Sequence, residues 1–413
     1  MKDFNIALAC IGGLILLLAP ISGLIKGRLY VSEPLLALLA GILLGPHALG
    51  LLSVGDVANP RPLVEEGARV TLAIAVVGTA LRLPEGYPLR QWRPLAVMLG
   101  LVMPLMWLIG GALVHVVLGV PFGLAMLIGA VVTPTDPVLA SSIVTGAVAE
   151  KNIPGRLRDL ISAEAGANDG FALLFVILPL LLLELPVGEA LRQWLTFTLL
   201  WEVIASVLFG ALLGLGAGWL LRRAADKDTT AHTSLLGATL ALALTVLGAV
   251  AVFGGDGVLA AFAAGVAFNM MAHGERLERQ EHVQETITRF FTLPAFVLLG
   301  LAVPWAQWAS LGWAGVILAG AMLLVRRLPV LLALRPLLRP VRGMRDALLV
   351  GWFGPIGVGA LFYAAMVVRE THRTEVWTVS SLLICASVVA HGVSATPLTK
   401  LYGSAAGGAG RED

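Results

Sequence analysis

Charge is scarce in this 413-residue sequence: 13% of it is Asp, Glu, Lys or Arg, about half the share of a soluble globular domain. A net charge of +2 points to no acidic or basic partner, nucleic acid included. Cysteine is almost absent. Cys10 and Cys385 are the whole complement, they lie far apart inside apolar runs, and they read as small buried hydrophobes, not as a disulfide. Long polar stretches are missing as well. The longest connector, "HGERLERQEHVQETITR" (273–289), is short and mixed in charge, so no soluble domain fits and a solvated or interfacial helix is expected there. The tail "GSAAGGAGRED" is rich in Gly and Ala and is expected to be disordered and cytoplasmic over 401–413. What fills the rest is apolar: 58% hydrophobic residues, with a mean hydropathy of +0.89. Runs long enough for roughly 30 Å of hydrocarbon recur from end to end. The chain is expected to be an all-α polytopic membrane protein. Its first run (4–25) lacks a small-x-small cleavage site and reads as a span, not a signal peptide.

Hydropathy and loop breaks together define 13 segments, near 4–25, 32–53, 66–82, 94–118, 122–146, 157–184, 195–221, 232–253, 256–271, 285–304, 308–334, 346–368 and 375–399. Alternating the loops between two sides puts 22 of the 28 Lys and Arg residues on one side, including Arg82, Lys151, Arg222 and Arg335. That bias predicts an N-terminus outside and a C-terminus in the cytoplasm. A missed or surplus helix would scramble the alternation, so the bias also supports the count.

Polar residues at mid-depth in a bilayer are costly and are functional candidates by default. "AEAGANDGFALL" (163–174) places Glu164, Asn168 and Asp169 in the sixth segment. With that helix starting near Arg158, Asp169 is roughly 16 Å in, at the midplane; the plainer alternative is a satisfied structural carboxylate. Asn168 alone fits helix–helix hydrogen bonding, and Glu164 an ion pair that orients helices. "VVTPTDPVLASS" (131–142) brackets Thr135-Asp136 with Pro134 and Pro137, which a continuous helix cannot accommodate. Open backbone at this depth must line a cavity or be buried in protein. Asp136 there could simply cap the second half-helix, a role compatible with function. The twelfth segment carries "GWFGPIGVGAL" (351–361), with four glycines and a proline within nine residues. Segments five and twelve run in opposite directions, so two broken helices cross in two inverted six-helix repeats, the pattern of a secondary transporter. Asp256 reads as an outer-end cap, His115 and His391 as core histidines, and Glu202 has no evident partner. Arg326 and Arg327 could snorkel or pair with Glu164.

"TPTDPVLA", "AEAGANDG" and "RRLPV", in this order, resemble the monovalent cation:proton antiporter family over nearly the whole chain. "ALRLPEGY" (80–87), "TPTDPVLA" and "WFGPIGVGALF" are most similar to its fungal plasma-membrane alkali-metal branch. The resemblance implies a thirteen-helix inverted-repeat fold and a homodimer. Its interface parts would be 1–93 and, with linker helix seven, 185–304; its mobile core would be 94–184 and 305–400. It implies that Asp169 binds Na⁺ or the proton, that Thr135 (through its backbone), Asp136 and Asn168 shape the site, and that Glu164 and Arg326 form the core ion pair. Three positions depart from the family pattern. Ala165 stands where many members have serine, Gly78 or Thr79 where some carry a glutamate, and Ile356 where one version has arginine. The first two leave the cation to be held partly by backbone and water.

The expected function is Na⁺ (or Li⁺/K⁺) exchange for H⁺ by competition at one buried carboxylate with alternating access, without a cofactor or enzymatic activity. Asparagine at 168 favours electroneutral one-for-one exchange; a titrating Asp136 would make it two protons per cation. The expected location is the plasma membrane, the bacterial inner membrane in particular. The alternatives are a K⁺/H⁺ antiporter or a cation channel of the same fold; an intramembrane enzyme using Asp136 and Asp169 lacks supporting nucleophile or metal motifs.

Overall fold

Backbone in hydrocarbon must satisfy its own polar groups, and helix is the outcome throughout the described part of the chain. The computed structural model describes residues 9, 12, 13, 15–17, 31–52, 60–226, 235–271 and 281–407, and the regular elements among them are helices. In chain order these are α1 (Glu33–Leu44), α2 (Pro60–Arg82), α3 (Trp92–Leu118), α4 (Phe122–Val131), α5 (Pro137–Val144), α6 (Gly146–Asn152) and α7 (Gly155–Glu184). There follow α8 (Val187–Ala224), α9 (Leu235–Val252), α10 (Gly257–Met271), α11 (Glu281–Leu301), α12 (Trp305–Val325), α13 (Leu328–Leu334), α14 (Met344–Trp352), α15 (Val358–Thr371) and α16 (Thr374–Gly407). Among the described residues five stretches are long and apolar enough to span a membrane: Trp92–Leu118, Gly155–Glu184, Val187–Ala224, Trp305–Leu337 and Thr374–Ser404. The expected fifth and twelfth segments are each split, α4 from α5 at 132–136 and α14 from α15 at 353–357. Most of the expected first segment, and 272–280 of the polar connector, lie outside the described residues.

The tail departs from expectation. Helix α16 continues through Gly407 instead of giving way to disorder at 401. Its last turns have partners: the Tyr402 hydroxyl donates to Asp346 (2.5 Å), which also pairs with Arg156 (2.6 Å), and Gly403 lies against Asn152. Residues 408–413 of the expected tail lie outside the described residues.

Helix packing relies on small residues. Lipid is as apolar as leucine, so two helices gain from association chiefly by close backbone approach. Ser206, Gly210, Gly214 and Gly218 form a four-residue ridge along α8. A β-carbon at Gly210 would overlap the Ala260 carbonyl, one at Gly214 the Ala264 carbonyl, and one at Gly218 the Met271 side chain. The same close approach joins α1 to α11, where Gly41 faces Val297 and Gly300 faces Leu38. Gly214→Val should therefore lower the thermal midpoint of the detergent-solubilised protein by an amount equivalent to about 1–3 kcal/mol. Gly216→Val, on the same helix but facing open space, should leave the midpoint nearly unchanged.

Candidate ion-binding site

The two broken helices meet at their breaks. The Asp136 N–H donates to the Pro355 carbonyl at 2.8 Å, joining one unwound stretch directly to the other. Each break leaves a half-helix C-terminus and a half-helix N-terminus, with partial charges of opposite sign. Arg326, 3% exposed, serves the C-terminal side. Its guanidinium donates to the carbonyls of Val132 and Thr133 after α4 and of Gly354 after α14 (2.6 Å to Gly354). Asp136 serves the N-terminal side. Its Oδ1 accepts from the N–H groups of Val138 (2.7 Å) and Leu139 (3.0 Å) of α5, and its Oδ2 from that of Val358 at the start of α15. Gly357 makes room for this carboxylate, since a β-carbon there would overlap Oδ2. One buried cation and one buried anion thus hold the crossing.

The expected Glu164–Arg326 pair is corrected by the structure: Glu164 pairs with Arg327. Arg327 Nη1 and Nη2 reach the two carboxylate oxygens at 2.8 and 3.1 Å. Helix α12 ends at Val325, and consecutive residues there project to different sides. Arg326 is consumed by the crossing carbonyls while Arg327 faces α7, its stem passing where Gly354 lacks a side chain. At 3% and 2% exposed, neither arginine snorkels. The pair extends into a network. Glu164 Oε1 accepts from Asn168 Nδ2 (2.8 Å) and from the Thr135 hydroxyl (3.1 Å), and the Thr135 N–H donates to Asn168 Oδ1 (3.2 Å). Asn168 Nδ2 also contacts Thr135 Oγ1. Thr135, Asn168 and Glu164 therefore tie α7 to the unwound stretch.

Asp169 is different. It sits midway along the 30-residue α7, is fully buried, and no protein group donates to either of its carboxylate oxygens. Helix α15 supplies its wall: a β-carbon at Gly359 would overlap Oδ1, and one turn on the Tyr363 hydroxyl donates to the Asp169 carbonyl at 2.7 Å. Gly357 and Gly359, two residues apart, thus place Asp136 and Asp169 against the start of the same half-helix. A cavity of about 570 Å³ approaches the crossing from the end that carries Arg158, Asp159 and the Arg289–Glu33 pair (3.2 Å). It reaches Ala75, Thr79, Pro137, Val138 and Ser162.

Residues 13–401 match the family model described as "Sodium/hydrogen exchanger, transmembrane". The chain belongs to the sodium/hydrogen exchanger family. It is 32% identical to Na(+)/H(+) antiporter 2 of Zygosaccharomyces rouxii, over 94% of this chain and 52% of that protein. It is 30% identical to a Na(+)/H(+) antiporter of Schizosaccharomyces pombe, over 94% and 89%, and 26% identical to the K(+)/H(+) antiporter NhaP2 of Shewanella oneidensis strain MR-1, over 67% and 47%. The chain spans about half the length of several of the curated relatives it matches. The solved structure of the sodium proton antiporter MjNhaP1 from Methanocaldococcus jannaschii at pH 8 shares the fold, with a TM-score of 0.71, 16% identity, and 97% and 98% of the two chains covered. The relatives and the fold are those of transporters, not enzymes.

In this chain the departing positions are all buried. Ala165 and Gly78 present no side-chain oxygen, Thr79 Oγ1 is engaged with the Ala75 carbonyl (2.9 Å), and the Ile356 N–H donates to Ser387 Oγ (2.7 Å). His391 stands beside Ser387 and faces the Trp352 carbonyl at 2.9 Å, a core histidine bracing the second break, as expected, whereas His115, read the same way, is exposed. Sequence reasoning missed Gly359 and Tyr363. Their i, i+4 spacing after the break puts them on one helix face, but only if α15 is known to face α7. Arg327→Ala leaves Glu164 a buried, uncompensated charge, and should lower stability by about 3–5 kcal/mol. Adding Glu164→Gln to Arg327→Ala should recover part of that loss in the same thermal unfolding measurement.

Proposed function

We propose that this chain is a secondary antiporter exchanging a monovalent alkali cation for a proton at Asp169. The observation that carries this is the fully buried Asp169 carboxyl, which no protein group pairs. An uncompensated buried carboxylate is prohibitively costly. The group therefore holds either a proton or a cation, and each excludes the other. That competition is the coupling. The neighbouring acids are engaged elsewhere: Asp136 is saturated by three backbone N–H groups and Glu164 by Arg327. A single exchanging carboxyl gives one proton per cation, an electroneutral cycle. The hard cation would be completed by the opened backbone at Thr135 and by water, since Ala165 offers no hydroxyl.

In this reading, 94–184 and 305–400 form the moving core with the crossing at its centre, related as inverted repeats. Residues 1–93 and 185–304 form the interface part of a homodimer, with helix seven as linker. The Lys and Arg bias favours an N-terminus outside, and the resemblance to the plasma-membrane alkali-metal branch favours a plasma membrane for this multi-pass chain. The cavity beside Pro137 and Ser162 then opens to the cytoplasm, and core movement would expose Asp169 to each side in turn. The names of the yeast relatives favour Na⁺. The NhaP2 relative makes K⁺ the second reading, and a channel of the same fold would instead conduct.

The test is flux in proteoliposomes holding an imposed pH gradient, read with a pH dye as Na⁺, Li⁺ or K⁺ is added. Wild type should collapse the gradient with a defined cation order, and Asp169→Asn should be silent. Flux without proton coupling would sink the antiporter reading, and exchange retained in the variant would sink the assignment to Asp169. Gly359→Ala, which pushes a methyl group against Asp169 Oδ1, should cut exchange by at least tenfold while the protein still folds, the cost of a misplaced reacting group.

A further inference from the structure

Beyond Asp169, on the side away from the cavity, stand two carboxyl groups that the cycle above leaves unused. Asp256 opens α10. Its Oδ1 accepts from the N–H groups of Val258 and Leu259, both at 3.0 Å, and its own N–H donates to the Glu202 carbonyl (2.9 Å) and to Ser206 Oγ (3.0 Å). Capping accounts for Oδ1. It does not account for Oδ2, which is buried without a protein partner in a residue only 6% exposed. An N-cap needs an acceptor, which asparagine or serine supplies equally well, and gains no benefit from a second, desolvated oxygen. Glu202 repeats the pattern. It lies on the π-helical stretch Trp194–Ala205 of α8, accepts from Thr198, and keeps Oε2 buried without a partner.

Packing ties Asp256 to the neighbourhood of Asp169. Leu259, one turn into α10, packs so closely against Gly170 that a β-carbon there would overlap it. Gly170 follows Asp169 directly, and the Tyr363 hydroxyl donates to the Asp169 carbonyl at 2.7 Å. No three acidic, histidine or cysteine side chains among the described residues converge to chelate one ion, so these are successive stations, not one cage. We propose that Asp256 and Glu202 form an outer station, where the oxygens that no protein group pairs take up the monovalent cation in place of a proton as it passes between the outer face and Asp169. This rests on the reading of Asp169 and on the proposed orientation.

The experiment compares right-side-out and inside-out membrane vesicles carrying the full chain, measuring the KM for the driving cation on each side. Asp256→Asn keeps the cap and removes the charge; Glu202→Gln does the same for its partner. Each should raise the outer KM about tenfold, the effect of one nearby charge in a partly screened site, with the inner KM and the maximal rate close to wild type. Asp256→Ala, which also loses the cap, should in addition lower the thermal midpoint. An outer KM unchanged in both conservative variants overturns the station and leaves Asp256 a cap. Equal increases on the two sides overturn it too, because the effect would then act at Asp169. A wild type without exchange, or exchange surviving Asp169→Asn, overturns the underlying reading instead, and the two failures are therefore distinct.

Discussion

Everything at the centre of this protein depends on one constraint: open backbone in a membrane must be compensated where it opens. Two helices break at the same place and leave four half-helix ends in a region that water does not solvate freely. Arg326 gathers the carbonyls of one pair of ends and Asp136 the N–H groups of the other. The charges are matched to the helix dipoles, not to each other. This explains how a buried arginine and a buried aspartate persist at the crossing without forming a direct ion pair.

Around that crossing the polar groups divide into two kinds. Glu164, Asn168, Thr135 and Arg327 form a closed network in which nearly every donor meets an acceptor, and such networks fix a single arrangement. Asp169, one residue from Asn168, is excluded from it. A helix turns about 100° per residue, so Asn168 faces the break while Asp169 faces α15, where Gly359 offers no side chain and no donor. Structural rigidity and chemical availability are thus set by adjacent residues of one helix.

Glycine is the other instrument. Gly354, Gly357 and Gly359 admit Arg327, Asp136 and Asp169 in turn. The stripe of small residues on α8 brings α10 close enough to place Leu259 against Gly170 and Asp256 beside Glu202. Absence of side chains positions charge as surely as the charged residues do.

Much of this was legible in the sequence. The apolar runs forced a helical membrane protein, the prolines around Thr135-Asp136 and the glycines of 351–361 forced two breaks, and the cost of burying Asp169 marked it as special. These are local consequences of hydropathy and backbone chemistry. Other features were decided only by tertiary structure. Glu164 chose Arg327 over Arg326, because the partner depends on which way each side chain leaves the end of α12. Residues 401–407 stayed helical, because Tyr402 and Gly403 found partners on α14 and α6. Tyr363 and Gly359 became walls of the site once α15 was laid against α7. Local sequence dictates what each helix is and where it breaks; which face meets which neighbour is set by packing between residues far apart in the chain, and there the chemistry of Asp169 is decided.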